Sequence, residues 1–244
     1  MARTAPAERP GLHRADGRQA FDTIAAPREE REGWRHLWLG DSRMGKSTAN
    51  KFLLGYAQEH GAIVVAHDDV KREQQIEGVT REHPDDLTAR PVTDEEAAQG
   101  ALVFRGNPQT GRVVEVEAVA AMALAMARTG IPTVIAVDEL DRCMTDGGHE
   151  LTSKALRAAL TQGGALGLSV AATTQDPTRV PRQFKDQCTS TGFFRLGPSA
   201  LNYCRERLYF DPELLTVVEK LSPHEFVIDR RGFPWDRTVY TLRT

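Results

Sequence analysis

The stretch Gly40-Asp41-Ser42-Arg43-Met44-Gly45-Lys46-Ser47 fits G-x-x-x-x-G-K-[ST] at every fixed position. Glycines at both ends of such a loop admit backbone angles that turn successive N–H groups inward around phosphate oxygens, and a following helix adds its positive end. Lys46 would set a compact charge between the phosphates, the Ser47 hydroxyl would hold Mg²⁺, and Thr48 continues into the first helical turn. This pattern reads as a site for ATP with Mg²⁺; the bland alternative is a glycine turn carrying a surface lysine.

Cleavage of a triphosphate needs more than a grip on it: an acid to anchor the metal and a group to orient water. "PTVIAVDELDR" supplies a pair, with Asp138 ending an apolar run to reach the metal and Glu139 following it to polarise the water. The competing reading is a helix start with acids in its first turn. A second apolar run, "GLSVAATTQ", ends in Thr174 and Gln175. Gln175 could sense the terminal phosphate or hold the water, or it could only satisfy a loop backbone.

These residues must be held by regular elements. "WRHLWLG", "GAIVVAHDD", "TVIAVDE" and "GLSVAATTQ" are short apolar runs bounded by polar or turn residues, the pattern of strands buried on both faces. Between them "KSTANKFLLGYAQEH", "VEAVAAMALAMARTG" and "HELTSKALRAALTQGG" carry helical spacing, the last two closing on glycine. Alternation of this kind predicts an α/β fold with a mostly parallel central sheet flanked by helices. "HEFVIDRRGFPWDRTVYTL" predicts a C-terminal β-hairpin around Arg-Arg-Gly at the sheet's edge. Residues 1–32 are poor in large apolar side chains and predict a flexible N-terminal arm, leaving 33–244 as the motor domain.

The totals exclude some classes. The 244 residues carry a net charge of −3, so nothing suggests a wholesale nucleic-acid coat. Three scattered cysteines without a CxxC pair argue against structural zinc and a disulfide framework, pointing to a reduced, cytoplasmic setting. No apolar run is long enough to predict a membrane span.

Taken together, the loop, the Asp-Glu strand end and "GLSVAATTQDP" resemble the FtsK/HerA superfamily of hexameric, DNA-translocating P-loop ATPases, with Thr174, Gln175 and Pro177 on that family's Thr, Gln and Pro. "TGFFRLG" and "LSPHEFVIDRRG" are similar to its following strand and Leu-x-x-Gly-Glu hairpin, and "VVAHDDVK" to its strand ending in Asp-x-Lys, with Asp69 and Lys71. The resemblance implies a RecA-like (ASCE) sheet in which one strand separates the phosphate-loop and Asp-Glu strands. It also implies a homo-oligomeric ring with an arginine supplied by the neighbouring subunit. Two positions depart: Gly164 stands where the family's arginine commonly precedes the sensor strand, leaving Arg195, Arg205 and Arg182 as candidates, and His224 replaces the hairpin glycine.

The length resembles the genome-packaging ATPases of membrane-containing icosahedral viruses. That resemblance implies double-stranded DNA as cargo, a capsid or membrane-vertex protein as docking partner, and host cytoplasm or a virion vertex as location. Arg142, Lys154, Arg105 and Arg112 lie in loops that could meet the DNA backbone or be ordinary solvated loops. The alternatives are a conjugative or defence-system ATPase of the same superfamily, or an ATP-binding switch or scaffold without translocation.

Overall fold

The computed structural model describes residues 12–25, 32–68, 79–81, 98, 100–105, 112–143, 151–180 and 182–242. In chain order these give β1 His13–Asp16, α1 Gly17–Ala25, β2 Arg35–Leu39, α2 Lys46–Glu59, β3 Ile63–Asp68, β4 Val79–Arg81 and β5 Ala101–Arg105. There follow α3 Arg112–Arg128, β6 Thr133–Val137, α4 Lys154–Gln162, β7 Leu168–Thr174, α5 Arg182–Gln187 and β8 Ser190–Phe193. The chain closes with α6 Pro198–Glu206, α7 Pro212–Val218, β9 Glu225–Arg230 and β10 Thr238–Thr241.

Among the described residues the strands form one ten-stranded sheet in the order β1-β10-β9-β8-β2-β7-β6-β3-β5-β4. From β8 to β4 every pairing is parallel, whereas β9 runs antiparallel to both β8 and β10. All seven residues of β7 and all five of β6 are buried, as expected of parallel strands covered on both faces. One face packs against α3 and α4 through Val119, Ala123, Leu156 and Leu160; the other packs against α1 and α2 through Phe21, Ile24, Leu53 and Leu54. β7 lies between β2 and β6, so one strand separates the phosphate-loop strand from the Asp-Glu strand, as the resemblance implies.

Several details depart from the sequence expectation. Residues 13–25 are not a free arm. In α1, Ala20, Phe21 and Ile24 share one helical face and are buried, and the Phe21 ring lies 6.4 Å from that of Phe52 and 6.5 Å from that of Tyr56. β1 is polar, yet it pairs in parallel with β10 through backbone hydrogen bonds, and Arg14 Nη1 meets Glu225 Oε1 at 2.6 Å. The predicted hairpin of β9 and β10 is present, but β1 lies outside it and forms that border of the sheet. β4 and β5 add two strands beyond those expected.

After α3 the chain turns on left-handed Gly130 at φ 86°. α4 instead runs on into a 3₁₀ turn over Gly163–Leu166, so its left-handed cap is Gly167 at φ 76°. Asp69, Lys71 and the loops 106–111 and 144–150 lie outside the described residues. Among the described residues no helix is long and apolar enough to cross a membrane.

Candidate nucleotide site

Strand register fixes the site. Leu39 pairs with Thr174 and Val137 with Ala172 across the parallel β2, β7 and β6. One residue further along each strand, Gly40 therefore adjoins Gln175 and Asp138 adjoins Thr173, all at the carboxyl edge where parallel sheets bind ligands. A cleft of about 770 Å³ opens there, lined by the phosphate loop, Asp138, Glu139, Thr173, Gln175 and His224.

The loop's two glycines are needed for different reasons. Gly45 adopts φ 109°, a conformation that side chains rarely tolerate. Gly40 is required by close approach, because a Cβ there would stand 2.6 Å from the Cβ of Phe194. Phe194 N–H in turn donates to Leu39 O at 2.8 Å, and Asp41 N–H to Arg195 O at 2.9 Å, so the segment after β8 buttresses the loop. Lys46 is buried and its Nζ donates to the carbonyls of Gly40 and Asp41, both at 2.7 Å. Burial pushes the Lys46 ammonium below its ordinary value, an effect opposed by Asp138, Asp41, Glu139 and Asp141.

Asp138 is buried and accepts a hydrogen bond from the Thr173 hydroxyl. The same hydroxyl accepts from the Glu139 backbone N–H at 3.1 Å, so one threonine orients both acids. Glu139 itself takes φ 46°, a left-handed conformation that costs a non-glycine residue about 1 kcal/mol and gathers at functional sites. Its Oε1 accepts from Gln175 Nε2 at 3.1 Å, while Gln175 Oε1 accepts from Ser42 Oγ at 2.5 Å. Thr174 Oγ1 donates to Asp141 Oδ1 at 2.7 Å.

Four carboxylates, those of Asp138, Glu139, Asp141 and Asp176, face the cleft against the two fixed cations Arg43 and Lys46. A polyphosphate entering alone would be repelled by that surplus of negative charge, so the residues fit Mg²⁺ as its companion, which Asp138 and Ser47 would hold. Among the described residues no group of three or more His, Cys, Asp or Glu is placed to hold a metal by itself.

The other expected residues are dispersed. Arg195 follows β8 and is exposed beside the loop it buttresses, and Arg205 is exposed on α6. Arg182 begins α5, but its side chain lies outside the described residues. Lys154 is exposed at the start of α4. Arg105, Arg112 and Arg142 fall at the end of β5, the start of α3 and the turn after β6, with side chains not described. By topology these four positions share the sheet's carboxyl edge. At Gly164 the absent side chain leaves room for Arg35, whose Nη1 lies 2.4 Å from where a Cβ would be and whose Nε donates to Gln187 O at 2.8 Å.

Sequence reasoning missed Thr173, Asp141, Asp176 and the presence of His224 in the cleft. Thr173 carries no signal in the sequence, because only the strand register brings it beside the acid pair.

No protein-family model matches the chain, and no curated protein matches it by sequence. The fold is the RecA-like α/β fold. Among solved structures the chain resembles the genome packaging NTPase B204 of Sulfolobus turreted icosahedral virus 2, with TM-score 0.68 and 16% identity over 87% of this chain and 98% of that one. It also resembles the bacterial conjugative coupling protein TrwB, with TM-score 0.61 and 12% identity over 94% and 92% of the two chains. VirB4 of Thermoanaerobacter pseudethanolicus aligns with TM-score 0.62 and 14% identity over 86% and 89%. The structural neighbours are thus the FtsK/HerA-type P-loop ATPases that the sequence resemblance names.

Proposed function

We propose that the chain is a Mg²⁺-dependent ATPase of the FtsK/HerA type that works as a ring and drives double-stranded DNA, packaging a viral genome into a preformed capsid. The observation that carries the ATPase reading is the convergence of Lys46, Asp138, Glu139 and Gln175 on one cleft at the ends of three adjacent parallel strands. Lys46 and the loop N–H groups bind the phosphates. Asp138 and Ser47 would hold Mg²⁺, which when bound would shield phosphate charge. Glu139 takes the proton of the attacking water as that water's oxygen bonds to the terminal phosphorus and the bond to ADP breaks.

The packaging role draws support from the alignment with the genome packaging NTPase B204, which covers 87% of this chain and 98% of that one at TM-score 0.68, and B204 has been solved with an ATP analogue. The conjugative reading draws support from the bacterial conjugative coupling protein TrwB, whose alignment has TM-score 0.61. ATP turnover measured with and without linear duplex DNA at low salt tests the translocase. Stimulation by duplex, lost as salt rises, is the expected result; turnover indifferent to DNA overturns it. Electron microscopy with a slowly hydrolysed ATP analogue and duplex tests the ring.

A further inference from the structure

His224 sits in the turn that opens β9, far along the chain from the phosphate loop, yet the two are in contact. Its backbone N–H donates to Met44 O at 2.9 Å, and its carbonyl accepts from Leu242 N–H at 2.9 Å. Its side chain lines the cleft beside Ser42, Arg43 and Gly45. The imidazole Nδ1 lies 3.0 Å from the place a Gly45 Cβ would occupy, is shut off from solvent, and has no hydrogen-bond partner among the described residues.

The backbone makes this residue type unexpected. His224 takes φ 67°, where glycine is unstrained and a side chain costs about 1 kcal/mol. The turn would form with less strain if position 224 were glycine, so the imidazole itself invites a reason.

The ring's surroundings indicate one. In a neutral imidazole one ring nitrogen donates and the other accepts; with Nδ1 sealed, Nε2 at the ring's other end is the nitrogen that can meet a ligand, as a donor when it carries the proton. Of the described side chains lining the cleft, four are carboxylates and only Arg43 and Lys46 carry fixed positive charge, so another N–H donor favours an anionic occupant.

Resting on the nucleotide reading above, we propose that His224 is a phosphate-binding residue, donating from Nε2 to the polyphosphate chain held by the loop. It thereby makes the C-terminal hairpin a wall of the nucleotide site.

The test compares the unchanged protein with His224→Gly, which removes the ring and suits the turn. Titrations with Mg-ATP and with Mg-tripolyphosphate are read alongside the melting midpoint of the ligand-free protein. The loss of one hydrogen bond predicts about 3- to 10-fold weaker binding of both ligands with an unchanged or higher midpoint. Native affinity for tripolyphosphate in His224→Gly overturns the proposal, as does a loss confined to ATP, which would put the ring against base or ribose. A fall in midpoint that accompanies the weaker binding assigns His224 a structural role and also overturns it. Should the unchanged protein bind neither ligand, the nucleotide reading itself fails, an outcome distinct from the others.

Discussion

The Gln175 amide donates to a Glu139 carboxylate oxygen at 3.1 Å, tying the end of β7 to the end of β6 across the mouth of the cleft. A glutamate so held is fixed in orientation before any water arrives, which is what a positioned proton acceptor requires. Glu139→Gln should lower ATP turnover by about 100-fold or more while leaving ATP binding intact. Single-turnover kinetics beside a binding titration check this, and undiminished turnover would remove Glu139 from the reaction.

Ser42 holds the other end of that amide. Its hydroxyl donates to Gln175 Oε1 at 2.5 Å, so Ser42→Ala leaves Gln175 able to rotate away from Glu139. Turnover is expected to fall about 2- to 10-fold, with ATP affinity changed less than turnover. Weaker affinity with turnover at saturating ATP unchanged would place Ser42 in binding alone.

Lys46 is satisfied by the carbonyls of Gly40 and Asp41, which phosphate oxygens would replace with charge-assisted bonds. Lys46→Ala should weaken Mg-ATP by about 10- to 100-fold and abolish the rise in melting temperature that Mg-ATP gives the unchanged protein. A thermal-shift titration reads both effects.

How much of this was legible in the chain follows from how local each signal is. The phosphate loop is contiguous, and its Lys46 and Ser47 can be read from eight residues. Asp138 and Glu139 were legible because a fully apolar strand ending in acids is rare in composition. Thr173 carries no such signature; only the register that pairs Val137 with Ala172 makes it the neighbour of Asp138. β1 was hidden for a different reason. Its four residues, His-Arg-Ala-Asp, bury little side chain, and backbone pairing to a partner over two hundred residues away leaves no periodic mark. The apolar face of α1 was readable in Ala20, Phe21 and Ile24, but it is small against the polar residues around it.

That face gives a stability prediction. Phe21 is buried between the sheet and α2, so Phe21→Ala should cost about 3 kcal/mol and lower the melting midpoint by several degrees. An unchanged midpoint would mean that α1 is not part of the cooperative unit.

His36 gives a pH prediction. Complete burial drops its imidazole from an ordinary value of 6.5 to about 3, and its Nδ1 pairs with Ser190 Oγ at 2.7 Å. The folded value lies below the unfolded one, so its contribution is fully present above pH 6.5 and is lost as pH falls toward 3. Melting curves from pH 7 to pH 5 should show the unchanged protein losing stability faster than His36→Gln, and parallel slopes would refute it.

The parallel pairing of His13–Asp16 with Thr238–Thr241 sets a schedule for biosynthesis. The two strands stand more than two hundred residues apart, so β1 gains its partner only once residues 238–241 have been made, whereas Phe21 can already meet Phe52 and Tyr56 of α2. A nascent chain stalled short of residue 238 would leave His13–Asp16 without its strand partner.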